Sequence, residues 1–264
     1  MQELKINLIQ SDIFWENPGK NLDHFSILLD QIHEPVDLIL LPEMFSTGFS
    51  IHPEHGTETM DGKSIQFLQY QAKKKNFVIC GSLMIQENGR FYNRMICMNP
   101  DGSFIQYDKH HLFRLSDESD VFTGGNKKQI LQVKGWKILP LVCYDLRFPV
   151  WSKNTYSDNG YEYDLLLYVA NWPESRSYVW RSLLVARAIE NQAYVAGVNR
   201  IGKDGAGTNH TGESMVIDPK GKIITTAAPG EPAILKAVLP FEELEAFRSS
   251  FRVGLDWDHF TIET

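Results

Sequence analysis

The chain has 264 residues, 33 of them acidic and 26 basic, for a net charge of −7. That balance offers nothing for nucleic acid or an anionic membrane to bind, so neither is expected as a partner. The length suits one large α/β domain burying roughly three quarters of its unfolded surface, and no stretch approaches the roughly 18 uninterrupted apolar residues of a membrane span.

The opening residues Met1-Gln2-Glu3-Leu4-Lys5 lack the basic-then-apolar pattern of a secretory signal, and a cytoplasmic location is expected. Three cysteines, Cys80, Cys97 and Cys143, are too few and too irregularly spaced for a disulfide framework or a zinc ribbon. Residues 4–10 alternate as a half-buried strand should, and residues 20–33 carry Leu22, Phe25, Leu28, Leu29 and Ile32 at helical spacing. Residues 37–43 follow as a continuous apolar strand ending in Pro42 and Glu43, which completes a βαβ unit of the parallel-sheet kind. A second round places a helix over 65–75, a strand over 77–81 and another over 90–98, reached through the turn at Asn88-Gly89. Residues 103–108 lead to Lys109-His110-His111, then to an acidic loop holding Glu118. Strands over 130–133 and 136–143 end at Cys143. The pattern does not place residues 153–161. A buried strand over 163–170 closes on Asn171-Trp172-Pro173, a helix covers 179–191 and a strand 193–198. Residues 202–212 form a glycine-rich hairpin connection, and 214–217 pairs with 223–226 across a turn. Residues 240–264 are aromatic with weak periodicity and read as a tail that must dock on something to be ordered. The whole reads as one α/β sandwich over residues 1–264, and the 15 Phe, 10 Tyr and 6 Trp exceed what a minimal core needs, so some belong in a subunit interface.

The run from Leu139 to Pro149 is apolar, ends in a thiol and turns at once polar, so Cys143 sits at a bend with Pro149 opening a helix. At the carboxyl end of a parallel strand a thiol can face a pocket while its backbone stays fixed. The free amides of the following turn, Tyr144 included, then point back at it. A cysteine is otherwise simply a small buried hydrophobe. Glu43 and Lys109 also follow apolar strands, and strand ends on one sheet edge converge on one crevice. Taken singly, the first reads as a helix-terminal charge and the second as a solvated loop residue. Together they supply a general base, a cation and a nucleophile. Depressing a thiol pKa from about 8.5 to below 7 takes roughly 2 kcal/mol, and an ammonium about 4 Å away supplies up to about 4 kcal/mol, so a resting thiolate is within reach.

Leu41-Pro42-Glu43-Met44-Phe45, Asp108-Lys109-His110-His111-Leu112-Phe113 and Val142-Cys143-Tyr144-Asp145-Leu146-Arg147-Phe148-Pro149, in that order, resemble the three motifs of the nitrilase superfamily of carbon-nitrogen hydrolases. The resemblance extends to Glu118, to Asn171-Trp172-Pro173, to residues 186–192 and to 212–221, and so covers nearly the whole chain. It implies a four-layer α-β-β-α sandwich, a homodimer and no cofactor. It further implies that Cys143 attacks an amide carbonyl, Glu43 moves the proton, Lys109 and the Tyr144 amide hold the oxyanion, and Glu118 orients Lys109 and the substrate amide. Residues 171–176 and 199–202 are most similar to the bacterial omega-amidases that hydrolyse 2-oxoglutaramate-like monoamides. N-carbamoyl amino acid hydrolases and aliphatic nitrilases share the same reaction centre, and a binding protein that merely keeps the fold is the alternative outside enzymes.

For a carboxylated substrate a cation must face the pocket, and Arg176, just beyond a strand end, is the first choice, with Phe45 and Trp172 as aromatic walls. Asp145 and Arg147 are assigned to structure. His110 and His111, adjacent and so pointing apart, have no third ligand at a recognised spacing, and no metal site is expected. Residues 202–208 lack the phosphate-loop spacing.

Overall fold

The computed structural model describes residues 2–263. Its strands are β1 (Leu4–Gln10), β2 (Leu38–Leu40), β3 (Val78–Glu87), β4 (Arg90–Met98), β5 (Phe104–Asp108), β6 (Leu131–Val133), β7 (Trp136–Val142), β8 (Tyr156–Ser157), β9 (Gly160–Tyr161), β10 (Leu165–Ala170), β11 (Tyr194–Asn199), β12 (Ile201–Lys203), β13 (Asn209–Thr211), β14 (Met215–Ile217), β15 (Ile223–Thr226) and β16 (Ala233–Leu239). The helices are α1 (Pro18–Asp30), α2 (Lys63–Lys75), α3 (Glu118–Val121), α4 (Pro149–Ser152), α5 (Ser177–Asn191) and α6 (Phe241–Ser250), and a 3-10 turn runs over Cys143–Arg147.

Two six-stranded sheets, ordered β16-β1-β2-β3-β4-β5 and β15-β14-β11-β10-β7-β6, pack face to face. The centre of each is parallel, β1 with β2 and β3 in one, β7 with β10 and β11 in the other, and the edges are antiparallel. Alternation decides which side chain goes where. Ile6, Leu8, Leu38, Leu40 and Cys80 face the second sheet, where Ile138, Val142, Leu167 and Val169 share their core. Their neighbours Ile9, Ile39, Leu41 and Ile79 turn outward against Phe25, Leu29, Leu68 and Ala72 of α1 and α2. Trp180, Leu184 and Ala188 of α5 cover the other sheet's outer face, which completes four α-β-β-α layers. With Asn17 as its cap and Pro18 in its first turn, α1 starts two residues before the apolar spacing alone suggests.

Several local expectations need correction. Of residues 37–43 only Leu38–Leu40 are strand, because Pro42 has no N–H to give, although Leu41 N still donates to Cys80 O at 2.8 Å. Pro149 opens a single helical turn, and the bend at Cys143 is the 3-10 segment before it. The unplaced stretch 153–161 holds the β8–β9 hairpin. β16, a full-length edge strand antiparallel to β1, lies where the sequence reading assigns no element. Its partner is more than 200 residues away, so no hairpin signal marks it.

α6 buries Phe241, Leu244 and Arg248 on one face. Arg248 donates to Asp164 Oδ1 at 2.6 Å and to the carbonyls of Gln192 and Tyr163. Removing the guanidinium strands a buried carboxylate, so Arg248→Ala is expected to lower stability by about 3–5 kcal/mol in urea unfolding. A loss of less than about 1 kcal/mol, the worth of a surface pair, would show that Arg248 does not anchor this helix.

Candidate active site

β5 is antiparallel to β4, which is antiparallel to β3, so β5 runs in the sense of β2 and their carboxyl ends share an edge. Glu43 leaves that edge just past β2, and Lys109 leaves it immediately after β5. From the facing sheet come Cys143 after β7 and Asn171 after β10. These four converge although 128 residues separate Glu43 from Asn171.

Lys109 is the centre. Its Nζ donates to Glu43 Oε1 at 2.9 Å and to Glu118 Oε1 and Oε2 at 3.0 and 2.9 Å, and all three side chains are buried. Glu118 opens α3, where it also accepts from Phe113 N at 2.6 Å. Asn93 on β4 donates from Nδ2 to Glu43 Oε1 at 2.8 Å and to Glu118 Oε1 at 3.2 Å. Asn171 N donates to Glu43 Oε2 at 2.8 Å, and Asn171 Nδ2 donates to Glu43 O at 2.6 Å. The Cys143 thiol faces the Glu43 carboxylate and the Asn171 backbone. Cys143 has φ +43°, a left-handed conformation that costs a non-glycine residue about 1–2 kcal/mol and occurs where a surrounding network imposes it. Asp145 supplies that network: it accepts from Val142 N, Tyr107 Oη, His111 N and His111 Nδ1 at 3.1, 2.7, 3.0 and 2.8 Å, tying the Lys109 segment to the thiol's turn.

The electrostatics correct the expectation of a resting thiolate. Burial pushes the Cys143 thiol well up, the Glu43 charge pushes it further, and Lys109 offsets this only in part. Burial together with the adjacent Glu43 carboxylate outweighs the one ammonium, so the proton stays on sulfur. Lys109 is held firmly charged: burial opposes its charge, but Glu118, Glu43 and Cys143 outweigh it. Burial raises Glu118, and Glu43 adds to it, while Lys109 pulls it back.

These groups open into a cavity of about 610 Å³ that Phe49, Tyr144, Arg147, Trp172, Arg176 and His210 help to line. Arg176 and Trp172 thus lie at the pocket, with Trp172 Nε1 donating to Arg176 O at 2.9 Å. Phe45 does not. It packs on Phe25 in the layer under α1 and α2, so close to β3 that a Cβ on Gly81 would come within 2.9 Å of its ring. The sharp turn after β2 puts Met44 at φ +44° and brings Phe49 to the pocket instead, with Lys109 Nζ 4.9 Å from its ring centre. Arg147, assigned to structure from the sequence, also lines the pocket and lies 5.1 Å from the Trp172 ring centre. Asp145 is structural, as assigned. His110 and His111 stack on Trp151 and Phe148 respectively, and among the described residues no cluster suited to a metal ion is found. Asn93 escapes the sequence reading entirely, since an asparagine inside an alternating strand carries no signal until its neighbours are known.

The carbon-nitrogen hydrolase family matches residues 5–249. The chain is 44% identical over 262 residues, 99% of its own length and 100% of the relative's, to the omega-amidase YafV of Escherichia coli K12. It is 32% identical to the 2-oxoglutaramate amidase of Bacillus subtilis, covering 94% of this chain and 95% of that one. A crystal structure from Xanthomonas campestris, described as a CN-hydrolase superfamily protein with an arsenic adduct in its active site, superimposes over 100% of both chains with a TM-score of 0.97 and 37% identity.

Removing the Glu43 charge in Glu43→Gln is expected to lower the pKa of the Cys143 thiol. Alkylation by iodoacetamide, followed against pH in wild type and variant, should reach half its maximum at lower pH in the variant, and an unmoved or upward midpoint would contradict the charge balance described here.

Proposed function

The chain belongs to the carbon-nitrogen hydrolase family and is an amidase, and on that premise we propose that it releases ammonia from the terminal amide of a small carboxylated monoamide of the 2-oxoglutaramate type. Cys143 Sγ attacks the amide carbon as Glu43 takes the thiol proton. The developing oxyanion is held by Lys109 and by the Tyr144 backbone N–H in the first turn of the 3-10 segment, a kind of stabilisation often worth roughly 3–4 kcal/mol per donor. Glu43 passes its proton to the departing nitrogen, ammonia leaves, and a thioester remains. Water then attacks the thioester carbon, Glu43 takes a proton from it, and collapse returns that proton to sulfur and frees the acid. Glu118 keeps Lys109 in place throughout.

One observation carries this reading: a buried thiol, its pKa pushed up by burial and by Glu43, lies beside that buried carboxylate, which is itself bound to a buried ammonium. Such a thiol needs a base at hand, and Glu43 is that base.

The substrate side rests on Arg147 and Arg176. Both line the pocket, and among the described residues neither guanidinium is ion-paired within the chain, each lying instead over an aromatic ring, Trp172 and Phe113. Two unmatched guanidiniums facing one cavity suit an anionic ligand with planar oxygens. Trp172 lines the same pocket as an aromatic wall, with Arg147 over its ring.

We also assign the protein to the cytoplasm as a homodimer. Tyr178 and Ile189 on α5, with Phe251 and Leu255 beyond α6, present exposed apolar surface suited to a second copy, and residues 240–264 act as a docking segment.

Cys143→Ala is expected to reduce turnover by at least about 10⁴-fold. Measurable turnover of the same amide by that variant would end the thioester reading. On a panel of 2-oxoglutaramate, succinamate, a carbamoyl amino acid and a simple nitrile, ammonia release should be fastest from the first two. Arg147→Ala and Arg176→Ala should each raise KM for 2-oxoglutaramate about 10- to 100-fold, the worth of a charged hydrogen bond, and leave an uncharged amide nearly unaffected. Equal losses on both substrates would remove the carboxylate role, and preference for the carbamoyl compound or the nitrile would reassign the reaction.

A further inference from the structure

One buried side chain touches both carboxylates of the site and has no part in the reaction as described. Asn93 is fully buried, its Nδ2 divides its two N–H bonds between Glu43 Oε1 and Glu118 Oε1, and its Oδ1 has no partner. Both neighbours can only accept, so the amide turns its donors to them. An unpaired buried acceptor is unfavourable, and two bonds to charged oxygens offset it.

The three N–H bonds of Lys109 all go to protein oxygens: one to Glu43 Oε1, two to Glu118. An oxyanion must draw one away. Glu118 then keeps Phe113 N on Oε2 and Asn93 Nδ2 on Oε1, while Glu43 keeps Asn93 on Oε1. The other oxygen of Glu43, Oε2, accepts from Asn171 N and takes no bond from Lys109 or Asn93, and the thiol bonds this carboxylate.

We propose that Asn93 is a positioning residue that pins Oε1 of Glu43 and Oε1 of Glu118, so that Glu43 Oε2 takes the thiol proton and Lys109 is free to turn toward the substrate oxygen. This rests on Glu43 being the base in the reaction above.

Loss of the Asn93 donors weakens the carboxylate form of Glu43, so Glu43 holds a proton to higher pH. The ionisable groups that face it are Lys109 from the end of β5, Glu118 from α3 and Cys143 from the turn after β7; Lys109 and Cys143 make no bond to Asn93, while Glu118 loses the longer of the two Asn93 bonds, 3.2 Å against 2.8 Å at Glu43.

Asn93→Ala is expected to lower kcat/KM about 10- to 100-fold, mainly through kcat, and to move the acid limb of its pH profile upward by about one pH unit. Asn93→Ser, which keeps one donor, should fall between that variant and wild type. Folding is checked by circular dichroism and thermal unfolding, and if Asn93→Ala does not fold the Asn93→Ser profile decides. A folded variant with the wild-type acid limb, or a loss confined to KM, overturns the proposal. Turnover surviving in Cys143→Ala would instead sink the underlying base-and-thiol reading, whatever the Asn93 variants do.

Discussion

One buried ammonium shared between two buried carboxylates governs this structure. Among the described residues Lys109 carries the only positive charge in direct contact with Glu43 and Glu118, and none of the three side chains is exposed. Such a group is tolerated only if nearly every donor and acceptor is matched, since breaking a buried pair by removing one partner typically costs about 3–5 kcal/mol. Its matching explains otherwise arbitrary features. Phe113 N, Asn93 Nδ2 and Asn171 N each fill an oxygen that Lys109 leaves partly open. Because Glu43 and Lys109 come from one sheet and Asn171 from the other, the same bonds lock the two sheets in register at the pocket edge.

The thiol sits on a second support. Left-handed backbone at Cys143 persists because Asp145 takes four donors, two from the chain just past Lys109 and one from the residue before Cys143. Tyr107 Oη, the fourth donor, itself accepts from Trp151 Nε1 at 2.9 Å. The spacing between ammonium and sulfur is therefore set by a rigid polar cluster rather than by side-chain rotamers, which is the preorganisation that electrostatic stabilisation of a transition state needs.

How much of this could be read from the residues follows from how local each signal is. β1, α5 and the run to Cys143 carry their periodicity within themselves, and the parallel strands with buried faces announce the strand ends at which Glu43, Lys109 and Cys143 converge. β16 stays silent because its partner is β1, at the far end of the chain. Phe45 and Phe49 exchange roles because the turn after β2 depends on Met44 adopting φ +44°, a conformation that nothing in the motif spells out. Arg147 reads as a structural residue one helical turn past a nucleophile. Whether such a residue faces the pocket depends on the 3-10 geometry of Cys143–Arg147, where the sequence shows only a bend before the helix at Pro149. The thiol's protonation is likewise invisible in sequence, because it depends first on burial and then on the charges that folding brings beside it.

Those charges bear on the proposed chemistry. With Glu43 and Glu118 as carboxylates, Lys109 as the ammonium and the thiol neutral, the cluster carries one net negative charge. In the tetrahedral intermediate Glu43 holds the thiol's proton, and the negative charge it gives up reappears on the substrate oxygen. The net charge of the buried cluster is unchanged. Chemistry therefore moves an anion across a short distance within a fixed field and does not create one in a medium that solvates charge poorly. A site with a resting thiolate would have to hold the sulfur's charge beside Glu43 before any substrate arrived, against the repulsion that raises this thiol. The neutral resting state and the fixed ammonium are two sides of one arrangement: Lys109 already lies where the charge is and need only follow it from carboxylate to oxyanion.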